Sequence, residues 1–303
     1  YYRSQEDQLV SFQERNDDVL AVYAFFGDII GGPVSEDNFL FRGQADLVTR
    51  SFAIYSQANW DWTENTVLTL GLRYTAEDRA MEKQDLLGLP SIGPNPIVRL
   101  NPDPQSDNWS DVSGTVSLSY QWNDDLMTYS KISKGYASGG FNVRAASSAD
   151  FANGYDEETL IAYEFGWKYL GLDGRLLING AVFYSDYSDL QSNLFDPETR
   201  GNNIQNAGDA EILGGEVEIV ASAFEHLDLG LSYGYTDAEY KTYIDALGTD
   251  HRTNNFPHTP KNTINVWARV VFSDLAIGDF TGRLDWVWQD DITFLSLAPE
   301  LNS

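Results

Sequence analysis

From Val112 to Trp122 the chain reads VSGTVSLSYQW. Val112, Gly114, Val116, Leu118, Tyr120 and Trp122 fall on one face of a strand, and Ser113, Thr115, Ser117, Ser119 and Gln121 fall on the other. Successive side chains of a strand point to opposite faces, so the stretch separates an apolar surface from a polar one over its whole length. An amphipathic helix would instead space its apolar residues three and four apart. Long strands with an apolar outer face and a polar inner face are what a barrel in lipid requires, and the bacterial outer membrane is where such barrels occur.

The signal from one such strand is weak, so its recurrence carries the reading. Leu68, Leu70, Leu72 and Tyr74 oppose Thr69, Gly71, Arg73 and Thr75. Ile161, Tyr163, Phe165, Trp167 and Tyr169 oppose Ala162, Glu164, Gly166 and Lys168. Leu227, Leu229, Leu231, Tyr233 and Tyr235 oppose Asp228, Gly230, Ser232, Gly234 and Thr236. Phe280, Leu284, Trp286 and Trp288 oppose Thr281, Arg283, Asp285 and Gln289. Helices are expected to be minor.

The connections alternate in length. Short links are expected at Thr63-Glu64-Asn65, at Asn123-Asp124-Asp125, from Leu170 to Gly174, from Ala223 to His226, and from Ser273 to Gly278. Long polar stretches, rich in Gly, Pro, Asn, Asp and Ser, are expected between them at 81–108, 138–156, 188–204 and 238–259. Outer-membrane barrels have short periplasmic turns and long extracellular loops, so the pattern also orients the chain. Trp60, Trp62, Tyr120, Trp122, Trp167 and Tyr169 stand just before short turns, where an interfacial ring can be buried with its polar edge wet.

Composition limits the alternatives. No apolar run approaches the roughly 18 residues of a spanning helix. The absence of Cys removes disulfides, thiolate metal sites and thiol nucleophiles. With 46 acidic and 19 basic residues, a net charge of -27 and no adjacent Lys or Arg, a nucleic-acid partner is excluded. His226, His251 and His258 lie in or beside turns and loops, with no metalloprotease, nucleophile-elbow or phosphate-loop pattern around them. No catalysis, bound metal or cofactor is therefore expected.

The ends look incomplete for a barrel. No signal peptide stands at Tyr1, and Leu297 to Ser303 reads as a polar tail rather than a closing strand. Asp18 to Phe26 could be another strand, although Val19 to Phe26 is apolar on both faces. An open set of strands would expose an edge in lipid, so the chain is expected to be an internal piece of a larger barrel.

Between Tyr129 and Arg144 the sequence is YSKISKGYASGGFNVR. This resembles the YSKGYKSGGFN signature found in the barrel of TonB-dependent outer-membrane receptors. Ser133, Lys134, Gly135, Tyr136, Ser138, Gly139, Gly140, Phe141 and Asn142 carry the match. The stretches Thr49 to Thr75, Tyr163 to Tyr169, Asn206 to Ile219 and Phe256 to Trp267 agree in order, so the resemblance extends from residue 44 to about 290. The fold class it implies is all-β: a partial transmembrane antiparallel β-barrel, about ten to twelve strands of an expected 22. Residues 1–303 would belong to a single barrel domain, with the plug domain and the closing C-terminal strands absent. The resemblance further implies uptake of a scarce solute, most naturally a ferric siderophore. The partners it implies are outer-membrane lipid and lipopolysaccharide, the plug of the same receptor, and TonB of the TonB–ExbB–ExbD system.

Independently of the resemblance, the polar face supplies the transport candidates, because a charged side chain facing mid-depth lipid costs about 2–4 kcal/mol. Arg73, Glu164, Lys168, Glu216, Glu218, Arg269 and Arg283 all fall there. They are expected to meet a plug, one another, or passing solute. Gly135, Gly139 and Gly140 are expected to shape a bend or to allow close approach of another backbone, and Lys131 and Lys134 to line the lumen or the loop base. A passive porin-like barrel and a secreted β-sheet protein that binds glycans remain alternatives. An upstream plug region separates the transporter from the porin, and dependence on detergent separates both from the soluble protein.

Overall fold

The computed structural model describes residues 2–14, 41–87, 97–145, 147–196, 201–244, 248–275 and 278–294. The strands are β1 (Tyr2–Glu14), β2 (Phe41–Thr63), β3 (Thr66–Leu87), β4 (Ile97–Leu100), β5 (Gln105–Gln121) and β6 (Leu126–Ala137), then β7 (Glu158–Gly171), β8 (Leu176–Asp196), β9 (Gly201–Phe224), β10 (Leu227–Tyr243), β11 (Asn262–Leu275) and β12 (Gly278–Gln289). One six-residue helix, α1 (Ser148–Asn153), lies between β6 and β7. All the strands form a single 12-stranded antiparallel sheet in which chain neighbours pair in order and β4 adds to the edge of β3. Among the described residues β1 and β12 do not pair, so the sheet is open. The expected segment Asp18 to Phe26 and the tail Leu297 to Ser303 lie outside the described residues.

The register joins the alternating strands into one apolar surface. Tyr74, Leu72, Leu70 and Leu68 stand beside Val112, Gly114, Val116 and Leu118, and Tyr163 and Phe165 stand beside Tyr184 and Val182. Farther along the sheet, Val266 pairs Trp286 and Ala268 pairs Leu284. Most of these side chains are exposed, Leu72 keeping 64% of its surface and Leu284 73%, while Leu68, Tyr184 and Ala268 are half-buried. In water such a surface would be a large aggregation liability, whereas against acyl chains it is the required one.

Five short turns fall where the sequence places them, between strands ending at 63, 121, 171, 224 and 275 and strands beginning at 66, 126, 176, 227 and 278. Asn123 closes the second by accepting the N–H groups of Asp125 at 2.9 Å and Leu126 at 3.0 Å. Next to these turns the aromatic belt forms. Trp60 stacks on Trp62 at 6.3 Å, Tyr120 meets Trp122 edge-on at 4.7 Å, and the Trp122 indole donates to Thr128 Oγ1 at 3.0 Å. A second level of tyrosines, Tyr74, Tyr163 and Tyr184, occupies the opposite margin, and beyond it Lys241 pairs with Asp186 at 2.7 Å.

Three of the expected long loops are shorter than the sequence suggests, the one at 238–259 because β10 continues to Tyr243. Within 81–108, β3 continues to Leu87 and β5 begins at Gln105; within 188–204, β8 continues to Asp196 and β9 begins at Gly201. The physical reason is strand length. β3 has 22 residues and so extends about 70 Å at roughly 3.3 Å per residue, far more than a tilted strand needs to cross an apolar band of about 25 Å. Outside the band the outer face has no apolar requirement, and the alternation disappears while the pairing continues.

Four aromatic rings lie directly over glycines on the neighbouring strand. The pairs Tyr129–Gly166, Trp167–Gly180, Phe183–Gly214 and Gly230–Trp267 are each cross-strand register partners. A Cβ on Gly166 would stand 2.5 Å from the Tyr129 ring, and one on Gly230 would stand 2.1 Å from the Trp267 ring. A slip of one residue in either direction would push Tyr129, Trp167 or Trp267 against a side chain, so these pairs specify the register.

Gly166→Ala should destabilise the full-length protein in detergent by about 1–3 kcal/mol, the cost of overpacking. Gly174→Asn, at φ 80 with open space around it, should be near neutral because Asn tolerates that region. Urea unfolding midpoints measure both. Leu70→Arg should cost about 2–4 kcal/mol in bilayers, while Thr69→Arg, facing the other way, should cost little.

Candidate functional site

The face opposite the lipid belt carries the charges, and most of those described are locally paired. Lys131 on β6 meets Glu164 on β7 at 2.7 Å, and the Tyr129 hydroxyl donates to the same carboxylate at 2.6 Å. Asn179 on β8 donates to Glu218 on β9 at 3.2 Å. Nearer the short turns, Arg269 on β11 meets Asp228 on β10 at 2.7 Å, and Arg283 on β12 meets Asp285 at 2.7 Å while lying over the Trp267 ring at 4.8 Å. Arg269 and Arg283 are register partners, so each needs its own carboxylate to offset like-charge repulsion.

Of the seven candidates, Lys168, Glu216 and Glu218 line one groove of about 580 Å³ that runs across the inner face from β6 to β12. Glu164 lies beside it through its hydrogen bond with Tyr129, a groove residue. Asn179 and Asn265 also line the groove, each with a buried amide oxygen that has no hydrogen-bond partner. The groove is rich in acceptors and suited to a partner that brings donors. Arg73 stands apart on β3, where its Nε donates to Thr75 Oγ1 at 3.0 Å. Arg269 and Arg283 form their own cluster with Asp228, Asp285 and Trp267.

The signature segment occupies the outer half of this face. After β6 the chain folds inward, and Phe141 and Phe151 join Trp109, Met81 and Ala45 in a buried cluster. Gly139 is needed there: a Cβ would stand 2.3 Å from the Tyr155 carbonyl and 2.4 Å from the Trp109 indole. The backbone that approaches Gly139 and Gly140 is thus the chain's own return strand at Tyr155. Lys134 pairs with Asp111 on β5. A buried Lys83–Asp85 pair at 2.6 Å lies farther out on β3.

Sequence reasoning missed the second outer cluster. Tyr240 stacks on Tyr243 at 4.4 Å and on Phe256 at 4.1 Å, above Ala207 and Ala210. Phe256 lies beyond β10, so no periodicity links it to the tyrosines. Close by, Asp250 is held below the usual carboxylate range by the backbone N–H of Arg252 and then by its guanidinium. His258 adopts φ 56 with its N–H bonded to Thr293 O at 2.8 Å.

The family model described as "TonB dependent receptor-like, beta-barrel" matches residues 4–301. The chain belongs to the TonB-dependent receptor β-barrel family. Its location is accordingly the outer membrane of a Gram-negative bacterium, and its apolar belt faces lipid. Over 119 residues this receptor chain is 29% identical to the ferrichrome outer membrane transporter/phage receptor of Escherichia coli K12, covering 39% of this chain and 15% of that protein. The fold is similar to the ferric yersiniabactin uptake receptor FyuA of Yersinia pestis, with TM-score 0.70 and 20% identity over 86% of this chain and 37% of that one. It is also similar to the copper transporter OprC, with TM-score 0.60 and 14% identity over 82% of this chain and 41% of that one. The receptor chain thus spans well under half the length of each of these relatives, which are transporters or receptors by name.

A double-mutant cycle on Lys131→Met and Glu164→Gln in the full-length receptor should give a coupling of about 0.5–1 kcal/mol, as expected for a partly exposed pair. Unfolding midpoints in detergent read it, and the double variant should recover most of what either single change loses.

Proposed function

We propose that this chain is part of a receptor that imports a scarce solute across the outer membrane, most naturally a ferric siderophore, on energy delivered by TonB of the TonB–ExbB–ExbD system. The observation that carries the reading is the family match along 4–301. The ferrichrome and ferric yersiniabactin relatives favour an iron chelate as cargo. On this reading residues 1–303 are part of one barrel domain, and the rest of the receptor supplies the plug and the strands that complete the wall. The open sheet agrees with this, because an unpaired strand edge in hydrocarbon costs several kcal/mol for each unsatisfied group.

The protein then acts by binding and conduction rather than by catalysis. Arg73, Glu164, Lys168, Glu216, Glu218, Arg269 and Arg283 form the polar wall that plug and solute meet. The acceptor-rich groove around Glu216 and Glu218 receives donors from the plug, and lipid with lipopolysaccharide covers the opposite face.

The test is uptake of radiolabelled ferric siderophores by cells expressing the complete gene, with and without TonB, alongside membrane fractionation. The expected result is an outer-membrane product whose uptake requires TonB. Uptake that persists without TonB would move the protein to the passive porins.

A further inference from the structure

Two segments meet on the outer half of the inner face. One is the signature segment with its return, residues 138–156. The other is the end of the β8–β9 hairpin, which bends toward it at two consecutive register shifts, Tyr187/Leu190 and Leu190/Gln191, with Asp189 at φ 57. Beyond the bend, β9 is no longer paired to β10, whose ladder stops at Tyr243 opposite Gly208. The backbone of Ile204, a half-buried residue, therefore has one strand edge without a strand partner, which must be satisfied some other way.

Asn142 satisfies it. The Asn142 amide nitrogen donates to the Ile204 carbonyl at 3.0 Å, and the Ile204 N–H donates to Asn142 Oδ1 at 2.7 Å. The side chain of Asn142 keeps only 5% of its surface and mimics one residue of a pairing strand. Beside it, Gln191 Nε2 donates to the carbonyls of Ser138 at 3.1 Å and Asp156 at 3.0 Å. Asn206 accepts the Asp156 N–H at 2.7 Å and donates back to the Asp156 carbonyl at 3.0 Å. At the other end, Arg79 of β3 donates to the Gly139 carbonyl at 2.8 Å and to the Ser138 hydroxyl.

We propose that residues 138–145 and 147–156 and the arm formed by the paired outer ends of β8 and β9, keyed together by the Asn142–Ile204 amide pair, form one fixed arch that braces β3 to β9 across the inner face and stays closed while solute passes. Three observations favour a brace over a gate. Phe151 and Ala145 of the arch are fully buried, at 0% and 1%, against Met81 and Trp109 of the wall, so lifting it would expose core. The bend at Asp189 is pinned on both sides: its N–H is held by Asp209 at 3.1 Å and its carbonyl by Asn206 at 2.8 Å. Most polar groups at the contact are matched donor to acceptor, Asn203 Oδ1 and Arg79 Nε being buried exceptions, and breaking the matched ones makes undocking costly. Movement that admits solute must then occur elsewhere in the receptor.

Hydrogen–deuterium exchange on the full-length receptor in detergent tests the brace without knowledge of the solute. Peptides covering 138–145 and 203–207 should exchange as slowly as those of β6 and β7. Asn142→Asp, which keeps the acceptor but loses the donor, should speed both by about tenfold, the scale of one lost buried hydrogen bond, and leave β2 and β3 unchanged. Wild-type peptides that exchange like open loops, or a variant in which only one peptide responds, would refute the arch. The chain has no cysteine, so Asn142→Cys with Ile204→Cys gives a reversible lock. Locked receptor should bind and import at the unlocked rate; import that stops on oxidation and returns on reduction shows that the arm must swing and overturns the fixed brace.

Discussion

Hydrocarbon offers no partner for a backbone N–H or C=O, and this constraint shapes the chain. Strands must pair continuously, edges must be covered, and the residues facing out must be predominantly apolar, with small hydroxyls such as Ser130 between Leu118 and Phe165 tolerated. The rows that run from Tyr74 and Val112 through Phe165 and Val182 to Val266 and Trp286 are the direct result. They leave the polar residues no place but the opposite face, so the candidate site follows from the same alternation.

The parts of the fold inside lipid were therefore legible in the sequence. Solvent imposes a residue type at every second position there, and the five short turns carry their own chemistry, as Asn123 shows with its two N–H acceptances. The outer continuations of β3, β8 and β10 were not legible, because once a strand leaves the apolar band neither face is constrained and residues such as Glu82, Lys83 and Gln84 read as loop. The inner groove was legible by face but not by grouping. Glu164 and Glu216 are far apart in sequence, and only the order of strands brings them near each other, whereas Arg73, on the same face, belongs to a different part of the wall. The Asn142–Ile204 contact had no readable signal, since it joins a side chain to a backbone 62 residues away.

Aromatic residues serve two separate purposes here. Next to the turns Trp60, Trp62 and Trp122 mark the membrane interface, while Tyr129, Phe183 and Trp267 fill the space above glycines on the inner face. The second purpose explains why glycine is tolerated inside long strands, where it otherwise weakens the ladder. The ring supplies the packing that the missing side chain does not, and each partner makes sense only with the other.

The length of β2, β3, β8 and β9, between 21 and 24 residues, has an evolutionary consequence. The rim that first meets the surroundings stands on wall that is held by backbone pairing and not by lipid. Substitutions there can accumulate on both faces with little effect on insertion into the membrane. Descendants of one such receptor can exchange what they recognise while inheriting an unchanged foundation.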